Sequence, residues 1–463
     1  MHRRWFVLGV VTLGMSLLAV GKAADAGWQA GGARLNITPG QSMWMSGYGG
    51  RDHPSEGKLT ELWAKVLVLQ DDAGTRLAVV TLDLVGLDRA TEQAIRSQVA
   101  EQYGIPVANT ALFSSHTHTG PVVGTNLKAM YAISDEQWQL VDEYTSNLIR
   151  DVVAKVGEAI DDLEPAEISW GNGTATFAVN RRNNRAADVP KLREMGQLRG
   201  PVDHDVPVLA VRTEEKLKAV LFGYACHATV LSFYQWSGDY PGFAQIAVEE
   251  AHPGCLAMFW AGCGADQNPL PRRTVELATE YGKRLGQAVS RVLEGDMQPI
   301  GGEIAAVSEE VPLEFAELPS REQLLETTKS SNRFEAGRAR WLLGQWEAND
   351  GLSGAYPYPV QSWKLGDGPL WVILGGEVVV DYSLRFKNEL GADTTWVAGY
   401  ANDVMAYIPS LRVLREGGYE GATSMIYYGQ PSVWAEGIES RIASEVQRQA
   451  DIVRKASTKP QAP

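Results

Sequence analysis

The chain has 463 residues, with 42 Lys+Arg against 56 Asp+Glu, a formal net charge of −14, 7 histidines and 3 cysteines. An apolar fraction of 44% excludes a disordered or collagen-like chain. The acidic balance argues against an electrostatic nucleic-acid binder, which needs a basic face, and three cysteines are too few for a disulfide scaffold.

Taken in chain order, Arg3 and Arg4 precede the apolar run Trp5–Val20 and the small residues Gly21, Ala23, Ala24 and Ala26. This is the tripartite layout of a secretory signal peptide over residues 1–26, with an uncleaved anchor as the alternative. It implies a periplasmic or secreted protein with no integral membrane span once the signal is removed. Strand-like apolar runs follow at Trp63–Gln70, Arg76–Gly86, Thr110–Ser114, Val206–Thr213, Leu217–Ala225, Leu256–Trp260 and Leu370–Gly375. Several lack polar alternation, as strands buried on both faces do. Helical periodicity marks Ala90–Tyr103, Asp135–Leu163, Arg272–Glu294, Arg321–Asn349 and Pro431–Lys455, the fourth opened by a capping box at Ser320. The polar stretch Asn180–Arg199 reads as a surface loop, and Ser237–Gly242 as a turn-rich loop. Cys255 and Cys263 can pair if the chain turns between them, although three small buried residues is the simpler reading. The alternation of strands and helices predicts an α/β fold: one large domain over 27–456 with mixed sheets flanked by helices, then a frayed tail over 457–463.

Several common signatures are missing: Gly-x-Ser-x-Gly, a P-loop, His-Glu-x-x-His and Cys-x-x-Cys. The chemistry concentrates instead on scarce histidines. His116 and His118 follow a buried strand and precede the turn at Gly120-Pro121. Two residues apart on an extended backbone, they project to one side, as a metal site or an acid/base pair requires. His227 leaves a second apolar strand, so both strands deliver imidazoles to one crevice at their carboxyl ends. Glu377, after a buried strand and Gly375-Gly376, offers the carboxylate a zinc site expects; the alternative is an acid stabilising a helix N-terminus.

Together these residues resemble the catalytic domain of the neutral, non-lysosomal ceramidases. The family's Thr-His-Thr-His-x-Gly-Pro is matched by Ser115-His116-Thr117-His118-Thr119-Gly120-Pro121, its zinc-binding His by Tyr224-Ala-Cys-His227, and its zinc-binding Glu by Gly376-Glu377. Its Asn-Arg pair is matched by Asn180-Arg181, and its Tyr and Tyr-Glu-Gly block by Tyr407 and Tyr419-Glu420-Gly421. The resemblance runs from about Ala33 to about Gly429 and implies Zn²⁺ held by His116, His227, Glu377 and Tyr407. It implies an amide cleaved by activated water, with His118 handling the proton and His118, Arg181 and Tyr419 as oxyanion donors. Asp239 and Asp266 are candidates to orient the imidazoles, with the commoner role of a turn-capping Asp as the alternative for each. The departures are Asn268 where the family has a serine linked to activity, Arg182-Asn183 where it has Ser-Pro, and the missing immunoglobulin-like companion domain. They point to an amide or ester other than ceramide. Three readings follow: a zinc amidohydrolase acting on an N-acyl lipid or related small amide, a zinc hydrolase for a polar or sugar-derived substrate, and a non-catalytic periplasmic binding protein.

Overall fold

The computed structural model describes residues 27–214 and 216–457. The signal sequence expected over 1–26 and all but the first residue of the expected tail lie outside them. Ser457 closes the last helix, Ile438–Ser457.

Four layers account for the core. The largest is a nine-stranded mixed sheet, in which Thr110–Ser114 and Leu256–Ala261 form opposite edges. Each edge strand runs parallel to its neighbour, Arg76–Leu82 and Leu217–Tyr224 respectively. On one face, helices Arg89–Tyr103 and Asp135–Asp161 cover one half, and Asp239–Ala251 and Val275–Leu293 the other. The opposite face packs Leu67, Val79, Phe113 and Trp260 against Trp363, Trp371 and Trp396 of a four-stranded sheet. That second sheet is covered in turn by Val380–Leu390 and Ile438–Ser457. With apolar layers on both sides, the strands have no face that needs polar residues, which is why their sequences read as continuous apolar runs. Burying each large aliphatic side chain contributes roughly 1.5–3 kcal/mol.

All seven expected strands form, with ends within one to four residues of the runs read above. Several other expectations shift. The helix over Arg321–Asn349 is two helices, Arg321–Thr327 and Arg333–Asn349. Its capping box at Ser320 is present, but the Asn332 side chain accepts from the Phe334 N–H and starts a new helix. The last helix begins at Ile438 rather than Pro431, because Trp434 is diverted to stack on Phe315. The loop expected at Ser237–Gly242 opens a helix, Asp239–Ala251, whose Pro241 sits in the first turn where its missing N–H costs nothing. Within Asn180–Arg199, Asn180 is fully buried on the short strand Ala178–Asn180, which pairs with Gln267–Pro269. The rest of that stretch includes the helix Val189–Glu194. All three cysteines are buried and free. Cys255 and Cys263 flank opposite ends of an extended strand of six residues, about 20 Å long, so they do not meet.

The segment after Thr395–Ala398 ties the two edges of the large sheet together. Ala398 bridges to Gly262 beyond one edge strand, and Ala401 to Phe113 on the other. The carboxyl ends of strands from both sheets therefore surround one crevice.

Candidate metal centre and active-site cleft

His116 and His118 lie just beyond Thr110–Ser114, but not on extended backbone. His116 has φ of 60°, in the left-handed region that non-glycine residues rarely adopt. This turn, rather than the pleat of a strand, brings the two rings together, with their Nε2 atoms 3.1 Å apart. His227 follows Leu217–Tyr224, and Glu377 sits opposite Tyr407 in a short parallel pair beyond Leu370–Leu374. The acid is thus held by strand pairing before the helix Val380–Leu390 starts, and it does not cap that helix.

These side chains converge. Glu377 Oε2 lies 3.2 Å from His116 Nε2 and 3.0 Å from His227 Nε2, and the Tyr407 hydroxyl lies 3.3 Å from His227 Nε2. The ligand atoms of His116, His118 and His227 all fall within 4.8 Å of one another. His116 Nδ1 is 2.6 Å from the Val85 carbonyl and His227 Nδ1 is 2.9 Å from the Gly264 carbonyl. A carbonyl only accepts, so each neutral imidazole carries its hydrogen on Nδ1 and turns its Nε2 lone pair towards Glu377. Oε2 of Glu377 is buried without a hydrogen-bond partner, although two imidazole nitrogens face it. Lone pairs aimed at lone pairs in a buried space call for a cation at their focus, and nitrogen with carboxylate and phenol oxygen is a donor set zinc accepts. The buried triad can hold a metal ion.

The surroundings fix these orientations. Tyr428 donates to Glu377 Oε1 at 2.5 Å, and the Tyr400 hydroxyl lies 3.3 Å from His227 Nδ1. Burial, with Arg181 nearby, lowers His227 to about 4, and burial next to His116 and His227 lowers His118 well below the ordinary imidazole value. Gly47 covers His118: its φ is 93°, and a Cβ there would meet the His118 ring at 2.5 Å.

A cleft of about 640 Å³ opens above this floor and includes His118, His227, Arg181, Asn268, Tyr407 and Tyr419 in its lining. Arg181 Nη2 donates to the Tyr407 hydroxyl at 3.1 Å and Nε to Glu420 at 2.7 Å, with Asn268 Oδ1 3.4 Å from Nη1. The partly exposed Tyr419 packs edge-on against Tyr407. Two expected residues do something else. The Asp239 carboxylate accepts from the backbone N–H of Val230, Leu231 and Tyr240, holding the loop after His227. Asp266 accepts from the Val380 N–H and the Asn180 side-chain amide. Neither reaches an imidazole, because main-chain carbonyls already occupy both Nδ1 atoms. Tyr428, Tyr400 and Arg51, whose guanidinium donates to the His118 carbonyl at 2.7 Å, were not singled out from sequence. Their only local signal is an aromatic or basic residue in a stretch with no unusual pattern.

Residues 28–304 match the family model for neutral/alkaline non-lysosomal ceramidase, N-terminal. The chain belongs to this ceramidase family. A curated relative, the neutral ceramidase of Drosophila pseudoobscura pseudoobscura, is 24% identical over 239 residues, covering 50% of this chain and 33% of the fly protein. The aligned stretch thus spans about a third of that relative. The fold is also that of neutral ceramidase from Pseudomonas aeruginosa, with a TM-score of 0.69 at 18% identity over 95% of this chain and 77% of that one. A solved ceramidase complexed with C2 superposes with the same TM-score, identity and coverage. Among the described residues, no helix is long and apolar enough to cross a membrane.

Proposed function

We propose that this member of the ceramidase family is a secreted or periplasmic zinc-dependent hydrolase that cleaves an amide bond with an activated water. The observation that carries this reading is the convergence of His116, His118, His227, Glu377 and Tyr407, with Glu377 Oε2 left without a hydrogen-bond partner, on the floor of a solvent-reachable cleft. His116, His227, Glu377 and Tyr407 would hold the ion, and zinc bound there supplies a Lewis acid and lowers the pKa of a water towards about 7. His118, which reaches the cleft, takes a proton from the attacking water at Nε2 and returns it to the departing amine. Arg181 lies over the rings of Tyr407 and Tyr419, at 5.7 and 5.5 Å, with its charge anchored by Glu420. It keeps Tyr407 aligned and offers a fixed positive charge to the oxyanion, while the exposed Tyr419 hydroxyl is the second donor. Asn268 shares this wall. A purely structural His–Glu cluster would not need a cleft above it, and a binding protein would not need a metal-ligating floor.

The cleft lining favours the second expectation, a polar substrate, over a lipid. Leu270 and Ala186 are its only aliphatic side chains, and the remainder is dominated by arginine, asparagine, glutamate and tyrosine. An alkyl chain finds no aliphatic wall there, only tyrosine rings and arginine stems between polar groups. The test is elemental analysis of the purified full chain together with turnover of N-acyl-sphingosine and of a short-chain polar N-acyl amine. One zinc per chain with faster release of the polar amine supports the reading. Absence of metal with no turnover after zinc is supplied overturns it.

A further inference from the structure

The chain is acidic overall, yet five arginines line the cleft: Arg181, Arg182, Arg185, Arg272 and Arg273. They fall into two sets. Arg181 and Arg182 are ion-paired with Glu420, at 2.7 and 2.5 Å, and Arg182 also with Glu416 at 3.0 Å. The others have no carboxylate within ion-pair distance among the described residues. Arg272 donates to the Thr229 hydroxyl at 3.0 Å, and Arg273 to the Tyr48 hydroxyl at 2.8 Å and the Thr229 carbonyl at 3.5 Å. The Arg185 side chain is exposed and lines the cleft, with no polar partner among the described residues. Asp239 attracts both Arg272 and Arg273, but its oxygens are spent on backbone N–H groups.

Holding adjacent cations together is unfavourable here. Burial and the neighbouring Arg273 both lower the Arg272 guanidinium. Arg273 is itself in a strained conformation, with φ of 98°. The contacts also tie this pair to the metal floor. Thr229 stands two residues beyond His227 on the same loop, and the Tyr48 ring packs against His118 at 4.7 Å. The unneutralised guanidinium groups therefore border the reacting centre instead of facing bulk solvent elsewhere.

We propose that the substrate carries an anionic group, a phosphate, sulfate or carboxylate, bound by Arg272 and Arg273 with Arg185 at the outer rim. This deepens the proposed hydrolase and rests on it for the position of the scissile amide. Arginine suits the task because its planar fork presents paired donors to such oxyanions, and the ligand supplies the counter-charge the protein omits.

The experiment compares N-acyl-2-aminoethyl phosphate with the N-acylethanolamine of the same acyl chain, each as the acetyl and the dodecanoyl form, using the full chain. The phosphate form is expected to show a kcat/KM about 10- to 100-fold higher, carried by KM. This ratio should collapse towards one in R272Q/R273Q and partly return in R272K/R273K. Preference for acetyl phosphate substrates identifies a small soluble anion, and preference for the dodecanoyl forms identifies a lipid headgroup. Equal turnover of charged and neutral amides, or a ratio that survives in R272Q/R273Q, overturns the proposal. If no amide is hydrolysed, titration calorimetry with N-acetyl-2-aminoethyl phosphate decides separately. Salt-sensitive binding lost in R272Q/R273Q upholds the anion site while the hydrolase reading fails, and absence of binding overturns the anion site too.

Discussion

The floor and the wall of the cleft are built on opposite electrostatic plans. On the floor, Val85, Gly264 and Tyr428 orient His116, His227 and Glu377, and what is left over is a focus of lone pairs. On the wall, two arginines are matched by glutamates and three are not. One region lacks a cation and the other an anion, although both share a single loop through His227 and Thr229. The difference shows how a chain with net charge −14 can still prepare a local positive field: what matters is which charges lack partners.

The contrast breaks most sharply at Glu377. Glu377→Gln removes the only carboxylate from the floor, and metal content by mass spectrometry should fall below stoichiometric with activity reduced at least about 10³-fold. Arg181→Gln tests whether the wall acts without the floor: kcat should fall about 10²- to 10³-fold with metal retained. Loss of metal in that variant would move Arg181 into the support of the ion. Tyr428→Phe removes the partner of Glu377 Oε1, and metal affinity from chelator competition should weaken about 10- to 100-fold.

The smallest effect concerns Asp239, the acid beneath the arginine pair. Burial raises its pKa from the ordinary 3.8 to about 6, against the pull of its backbone N–H donors. A folded-state value above the unfolded one means its stabilising contribution is full below about pH 4 and is lost as pH rises through about 6. Relative to Asp239→Asn, the wild-type chain should lose up to ~3 kcal/mol between pH 4 and pH 7, read from urea midpoints at each pH. A difference that is flat with pH would show that the neighbouring arginines keep this acid ionised throughout.

Much of this architecture is legible before folding. Strands sandwiched between layers need apolar residues at every position, so Thr110–Ser114 and Leu217–Tyr224 stand out, and the histidines leaving their ends stand out with them. The second sheet was mostly missed because its long strands, Ile304–Glu314 and Ala355–Leu365, mix charged and proline residues into the pattern. Asp239 illustrates a different limit. Its place near a histidine in sequence suggests support of a ring, but the backbone N–H groups of the intervening loop reach it first. Arg272 and Arg273 carried no sequence signal, since unpaired charge is a property of three-dimensional neighbours.

The bridge of Ala398 and Ala401 to the two sheet edges has a further consequence for how the protein can be taken apart. The residues that meet at the floor are drawn from positions 116 to 407, and the clasp that brings them together comes late in the chain. A piece ending near Gly351 carries His116, His118 and His227 but neither Glu377 nor Tyr407, so an ion held by His116, His227, Glu377 and Tyr407 together would stabilise only the assembled chain. An ion held there would report completed assembly: two separately produced pieces, divided at the polar turn near Gly351, would add Glu377 and Tyr407 to the histidines, and so tighten metal binding, only on finding one another.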